Sequence, residues 1–333
     1  GNISIEHESL PADIKLVAMA TKACGGKVIA QVKYLADTLT SDCVEVPGIF
    51  VDAVVVSQEP MKYHRQAGKV YYKPSMSGHI NVPLDSIPAA KLDEKKVISR
   101  RAAMELEPQS VINLGIGIPE GVSLVANEEG LINDLVMTTE SGAIAGVALG
   151  GTEFGAVQNA WAVADQCTQF DFYDGGGLDV TFLGLAQVDM KGNVNVSKFG
   201  SKIAGCGGFI NITQQTHKIV YCGTFTASGL RTEVGNGTLK ILQEGKRKKF
   251  ITDVEQISFS GIYAAQNGQN VLYITERAVF KLTLDGLELV EIAPGIDLEK
   301  DILALMDFKP VISENLKLMD ERIFKDEPMG LHF

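Results

Sequence analysis

A single carboxylate is the first candidate for chemistry. Glu140 sits in Thr138-Thr139-Glu140-Ser141-Gly142, directly after an apolar run and before a glycine. A carboxylate at the carboxyl end of a strand lies where open α/β sheets place ligands. Gly142, Gly146, Gly150 and Gly151 would let backbone and ligand approach closely. Read alone, Glu140 fits a catalytic carboxylate and a solvated loop glutamate equally well. A second candidate is Asn113-Leu114-Gly115-Ile116-Gly117-Ile118-Pro119-Glu120-Gly121. Glycines after a strand, with Pro119 opening a helix, expose amides suited to an anion or a carbonyl oxygen. A dinucleotide fingerprint fails because Glu120 stands where its third glycine belongs, and no Walker Gly-Lys-Ser/Thr follows. A plain structural turn is the alternative.

Ala204-Gly205-Cys206-Gly207-Gly208-Phe209 could present consecutive amides as an oxyanion hole. Cys206 within it reads as a nucleophile or as a small loop residue. The second is favoured, because His217 is merely the nearest imidazole in sequence and no Cys–His pattern supports activation. Asp174-Gly175-Gly176-Gly177-Leu178 fits a pocket wall or a turn. The five histidines never pair at metal-ligand spacing, so no metal site is expected. No GxSxG elbow is present. The run Lys246-Arg247-Lys248-Lys249 reads as a solvated hairpin end, with a phosphate contact as the alternative.

These residues need elements to hold them. The chain opens as a helix, with Ser9 as cap, Pro11 in its first turn, and Ile14, Val17 and Ala18 at helical spacing. Gly25-Gly26 stops it. Strand runs follow at 27–32 and 48–56. Residues 57–92 hold four prolines and no periodicity, as a linker would. A helix is expected from Asp93 to about Leu106, then strands at 110–114 and 135–139 separated by a helix from Pro119, an α/β alternation. Residues 180–196 read as strand and hairpin. A β region spans 239–292, with hairpin turns at Gly268 and Asp285-Gly286. A helix from Asp297 to about Met306 precedes a polar tail.

Composition bounds the function. The 333 residues suggest about two domains. A net charge of −11 argues against nucleic acid or an anionic membrane as partner, while leaving room for a small anion in a locally positive pocket. Hydrophobic content of 45% fits a globular chain, and no apolar run reaches membrane-span length. Five scattered cysteines without a CxxC pair point to a reducing, cytoplasmic setting. Gly1 in place of Met raises the expectation that the chain starts inside a longer product.

The four motifs at Asn113–Pro119, Glu140–Gly142, Gly184–Asn193 and Gly205–Gly208, in this order, resemble the family I CoA-transferases. Phe170–Asp179, Asn195–Gly200 and Ala293–Asp297 look like its propionate/acetate CoA-transferase branch. The resemblance covers essentially the whole chain. It implies an open α/β sheet of the NagB/RpiA-like CoA-transferase type, with one complete half and the C-terminal part of a first, similar half. Residues 1–60 would end the first half, 61–92 would link, 93–310 would form the glutamate-bearing catalytic half, and 311–333 a tail.

The resemblance further implies ping-pong transfer of CoA between a short-chain acyl-CoA and a carboxylate, through a glutamyl-CoA thioester on Glu140. Gly207 and Gly208 would supply oxyanion amides, and Asn113 would contact the reacting carbonyl or orient Glu140. Gly115, Gly117, Gly142, Gly176 and Gly177 would line the substrate and CoA site. Coenzyme A is then a substrate, and no cofactor or metal is needed. Expected partners are acyl-CoA, a short carboxylate, the missing N-terminal half as a separate chain, and further copies of the chain in a homo-oligomer. Competing readings are a thioester hydrolase using Glu140 as general base, a non-catalytic acyl-CoA sensor, and a thiolase-like enzyme built on Cys206.

Overall fold

A computed structural model describes all residues, 1–333. The chain packs as two units: residues 1–86 with 138–171, and residues 87–137 with 172–333.

The first unit has a small core of Ala18, Val46, Met76, Ala143, Val147, Ala148 and Val157. Helix α1 (Ile14–Ala23) leads to two parallel strands, β1 (Ile29–Val32) and β2 (Ala53–Val56), in register Ile29↔Ala53 to Val32↔Val56. Gly25 and Gly26 end α1 by donating to the carbonyls of Lys22 and Thr21. Ser9 does not cap α1; its hydroxyl donates to the Gln66 carbonyl at 3.4 Å, and Asp13 stands at the N-cap. The apolar run 48–56 yields a strand only from 53, because Gly48–Phe50 turns as a 3₁₀ segment. Residues 57–86 hold only single helical turns, at Pro60–Tyr63, Pro74–Met76 and Leu84–Ser86, but bury Gln66, Ser75 and Met76.

The second unit carries the large core. Helix α2 (Glu94–Ala103) starts where Asp93 accepts from the amides of Lys95 and Lys96, both at 3.0 Å, a cap of ~1 kcal/mol. Strand β3 (Val111–Leu114), helix α3 (Gly121–Glu128) and strand β4 (Val136–Thr138) follow. Helix α4 (Gln166–Asp174) brings the chain back, and β5 (Val180–Gly184), α5 (Phe209–Gln215), β6 (Lys218–Cys222), α6 (Gly261–Gln266) and β7 (Asn270–Ile274) continue the alternation. Antiparallel β8 (Ala278–Thr283) and β9 (Gly286–Ile292) and a final β10 (Val311–Leu318) complete it.

Among these strands the sheet order is β10-β9-β8-β7-β6-β5-β3-β4, part of a ten-stranded sheet. Strands β3, β5, β6 and β7 are parallel, in register Leu114↔Phe182 and Leu183↔Tyr221↔Tyr273. Ile219, Val220, Tyr221, Val271, Tyr273 and Ile274 are fully buried, as parallel strands covered on both faces require. Each such side chain contributes about 1.5–3 kcal/mol by leaving water. Chain order reverses at β3: β4 lies on one side of it, and β5, β6 and β7 on the other. Such a reversal opens a crevice outside the carboxyl ends of the flanking strands, β3 and β5.

Charged side chains of α2 are buried with partners. Arg101 forks onto Glu291 at 2.7 and 2.9 Å, and Lys96 meets Glu128 at 2.8 Å. Fully buried Arg100 donates to the carbonyls of Ile323, Lys325 and Glu327, so the residues after β10 are clasped rather than loose. The expected polar tail is therefore a sheet strand plus a strap. Three other expectations change. Residues 180–184 belong to the main sheet, and the small hairpin is 187–188 with 194–195. Gly268 closes α6 instead of a hairpin, whereas Gly286 does turn the β8–β9 hairpin. The helix after Asp297 spans only Leu298–Asp301, continued by a 3₁₀ turn.

Candidate active site

In the first unit, Glu140 occupies a turn with both ends tied. The Thr139 amide donates to the Ala143 carbonyl at 3.1 Å, and the Gly142 amide to the Thr139 carbonyl at 3.0 Å. The Thr139 hydroxyl donates to the Gly155 carbonyl at 3.1 Å, and the Ala164 amide to the Gly142 carbonyl at 2.8 Å. Gly142 has φ +109°, and a Cβ there would collide with the Ala164 carbonyl oxygen, so glycine is required. The turn is rigid while the Glu140 side chain stays half-buried with no hydrogen bond or ion pair. Burial alone raises its carboxyl pKa above the ordinary glutamate value. A cavity of about 620 Å³ lies in the same unit, lined by Leu10, Lys15, Glu45, His79, Ala164 and Asp165 among others. Ala164 connects its wall to the Gly142 backbone.

In the second unit, the crevice outside β3 and β5 gathers several glycines. The Gly115 amide is already used, donating to the Phe182 carbonyl at 2.8 Å, and the Gly117 amide donates to Glu120 at 2.9 Å. Those two glycines shape the loop and have no free amide to offer. Asn113 is buried in β3, with its Nδ2 donating to the Thr181 hydroxyl at 3.0 Å and its Oδ1 unpartnered. Gly176 and Gly177 close α4 by donating to the carbonyls of Tyr173 and Phe172, and Gly177 packs under the Phe172 ring.

The loop 204–208 is held from one side. The Ala204 and Gly205 amides donate to the Ser197 carbonyl at 2.8 and 3.0 Å, while the Gly207 and Gly208 amides donate to no group of the chain. Two adjacent free amides are what an oxyanion needs. Cys206 is half-buried and lies before α5, whereas His217 follows α5 at the start of β6. A seven-residue helix therefore separates them, about 10 Å along its axis.

Sequence reasoning missed the charged group at the ends of β5 and β7. Glu276 and Arg277 are wholly buried, paired at 2.6 Å, and the Phe225 amide donates to the other Glu276 oxygen at 2.8 Å. Arg277 also binds Glu244 at 2.8 Å. The basic run is not uniformly solvated: Lys246, Arg247 and Lys248 are exposed, but the Lys249 side chain turns inward and donates to the Leu185 carbonyl at 3.3 Å. The available signal was Ile274-Thr275-Glu276, which repeats the strand-Thr-Glu order found at Glu140.

The open sheet with a reversal at β3 and glycine loops at its carboxyl ends defines an α/β enzyme scaffold. No family model matches the chain. It is 48% identical over 338 residues to a caffeate CoA-transferase of Acetobacterium woodii, across 99% of this chain and 64% of that protein. The solved acyl-CoA transferase YdiF of Escherichia coli O157:H7 superposes with a TM-score of 0.88 at 45% identity, over 100% of this chain and 62% of that one. YdiF has also been solved as a thioester complex with CoA. The β subunit of an acetate CoA-transferase of Escherichia coli K12 is 29% identical over 62% of this chain and 89% of its own length. The chain belongs to the family I CoA-transferases. It spans a little under two thirds of the full-length relatives it matches. No helix is long and apolar enough to cross a membrane.

Proposed function

We propose that the chain is the glutamate-bearing part of an enzyme moving CoA between a short-chain acyl-CoA and a carboxylate acid. The observation that carries this reading is Glu140: a half-buried carboxylate without a partner, on a turn fixed at both ends, in a chain of this family. A Glu140 oxygen attacks the thioester carbonyl, the C–S bond breaks, and CoA leaves as thiolate from a mixed anhydride. The thiolate then attacks the glutamyl carbonyl, forming the glutamyl-CoA thioester and releasing the acyl group as a carboxylate that keeps one Glu140 oxygen. An incoming carboxylate reverses both steps, so the kinetics are ping-pong. Neither step consumes a metal, nucleotide or redox equivalent. We assign the oxyanion donors to Gly207 and Gly208, whose amides are free, and a carbonyl contact to Asn113.

We read residues 1–60 as the end of one CoA-transferase half and 93–310 as a second half. Support comes from the β1–β2 pair: Ile29, Val54, Val55 and Val56 are exposed on a parallel pair, a type of sheet normally covered on both faces. Strands from the remaining third of the relatives' length are the cover we propose, supplied by a separate N-terminal chain. Homo-oligomerisation and a cytoplasmic location complete the reading.

The test is incubation with propionyl-CoA or acetyl-CoA, with the N-terminal polypeptide added in a parallel arm, followed by peptide mass spectrometry. The expected result is a CoA adduct on the peptide holding Glu140 and ¹⁸O passing from labelled Glu140 into the released acid. Turnover without an adduct makes the chain a hydrolase. Loss of activity on Cys206→Ala, with Glu140→Gln active, moves the nucleophile to Cys206.

A further inference from the structure

Lys249 lies at the crevice outside the strand ends of the second unit. Its neighbours Phe250 and Phe225 stack at 4.8 Å and are fully buried, so the lysine stem leaves an aromatic cluster and reaches the end of β5. There its Nζ donates to the Leu185 carbonyl at 3.3 Å, one residue past Gly184. Gly184 in turn approaches the Ile116 carbonyl of the loop after β3 at 3.9 Å, measured from the Cβ an alanine would carry. The amine thus stands at the point where the strand order reverses.

An ammonium carries three donors, and one long bond to a carbonyl leaves two unused. Glu276 does not pair with it: one of its oxygens accepts from Arg277 and the other from the Phe225 amide, and no hydrogen bond joins it to Lys249. Burial pushes the Lys249 amine down to about 8, and the Glu276 charge only partly offsets this. A desolvated ammonium with spare donors is an incomplete ion pair.

We propose that Lys249 binds the carboxylate of the acid substrate, holding one anionic oxygen outside the end of β5. This inference rests on the transferase reading above. A single negative charge matches the one ammonium, because the buried guanidinium of the same cluster is already committed. Arg277 is spent on Glu276 and Glu244, and Lys248 pairs with Asp307 at 2.8 Å. A dianion would also meet the Glu276 charge with only one ammonium to balance it. Lys249 is a substrate-binding residue here, and the nucleophile remains Glu140.

The test needs no turnover. Lysine side-chain signals of the ¹³C-labelled chain are followed by NMR while propionate, coenzyme A or chloride is added at matched ionic strength, with Lys249 assigned from Lys249→Arg. Propionate is expected to move the Lys249 signal saturably, with at least tenfold less effect from chloride and no comparable movement of Lys248. In Lys249→Met, propionate binding read by calorimetry should weaken at least tenfold, and Lys249→Arg should keep most of it. A Lys249 response no greater than with chloride overturns the proposal, as does a response to coenzyme A but not to propionate. The wild-type titration decides even if Lys249→Met folds poorly. Failure here with a Glu140 thioester still forming removes the anion site alone. Saturable propionate binding without any thioester removes the transferase reading alone.

Discussion

Glu140 and Glu276 stand at the same offset from a strand, each preceded by threonine, in two different units. Their surroundings make them opposites. Glu276 is followed by Arg277, which pairs with it at 2.6 Å, and the Phe225 amide takes its second oxygen. Glu140 is followed by Ser141 and Gly142; its turn is fixed by backbone hydrogen bonds, and its side chain has no partner. A carboxylate whose oxygens are both engaged is a poor nucleophile, since attack would break two charge-assisted hydrogen bonds. One with no partner keeps its lone pairs available. The residue after the glutamate separates the two: Arg277 pairs with its neighbour, whereas Ser141 and Gly142 leave Glu140 without a partner.

The largest effect expected is on chemistry. Glu140→Gln should abolish the CoA adduct and lower transfer by roughly 10⁴-fold or more, as removal of a covalent nucleophile does. Glu276→Gln should retain the adduct. Stopped assays on both variants read this directly, and an active Glu140→Gln would break the comparison at its root.

The next effect is on stability and should fall on the other glutamate. Arg277→Met leaves the Glu276 charge buried without its cation, at a cost of about 3–5 kcal/mol. Urea denaturation followed by tryptophan-independent far-UV signals would measure it. A loss under 1 kcal/mol would mean that the Phe225 amide alone satisfies Glu276.

The parallel strands of the two units differ in the same way as the two glutamates. Ile219 on β6 is wholly buried, whereas Val55 on β2 is 51% exposed. Ile219→Ala should cost about 2–5 kcal/mol, and Val55→Ala less than 0.5. If Val55→Ala becomes costly once an N-terminal polypeptide is added, that polypeptide covers β2.

Much of this fold was legible in the residues. Asp93 marked the start of α2, Gly25-Gly26 the end of α1, and apolar runs the strands β3, β4 and β5, because caps and periodicity are local, whereas β6 (Lys218–Cys222) was not read from the sequence. The long-range features were not. Ser9 looked like a cap but binds the distant Gln66 carbonyl, and the tail after 310 looked polar but is clasped by Arg100. Glu140 was visible as a candidate from its strand-end position, and its lack of a partner emerged only from packing. Lys249 was hidden inside a basic run whose other three members are solvated, since charge pattern does not tell which lysine turns inward.

The smallest effect tests whether keeping Glu140 unpaired has a cost. Burial raises its carboxyl pKa in the folded chain above the value it has when unfolded. The folded state therefore binds this proton more tightly, and its stability contribution is complete below the unfolded value, ~4.3. It is lost as pH rises through the folded pKa, because the ionised group must then sit partly dehydrated without a cation or donor. Glutamine carries no charge to desolvate, so Glu140→Gln should melt about 1–2 °C above the parent chain at pH 7. The gap should narrow sharply by pH 4, below the unfolded value, where the carboxyl is mostly protonated in both states. A paired glutamate predicts the reverse, with Glu140→Gln less stable at pH 7. Thermal melts at the two pH values thus distinguish a carboxylate held ready at a cost in stability from one that helps hold the fold.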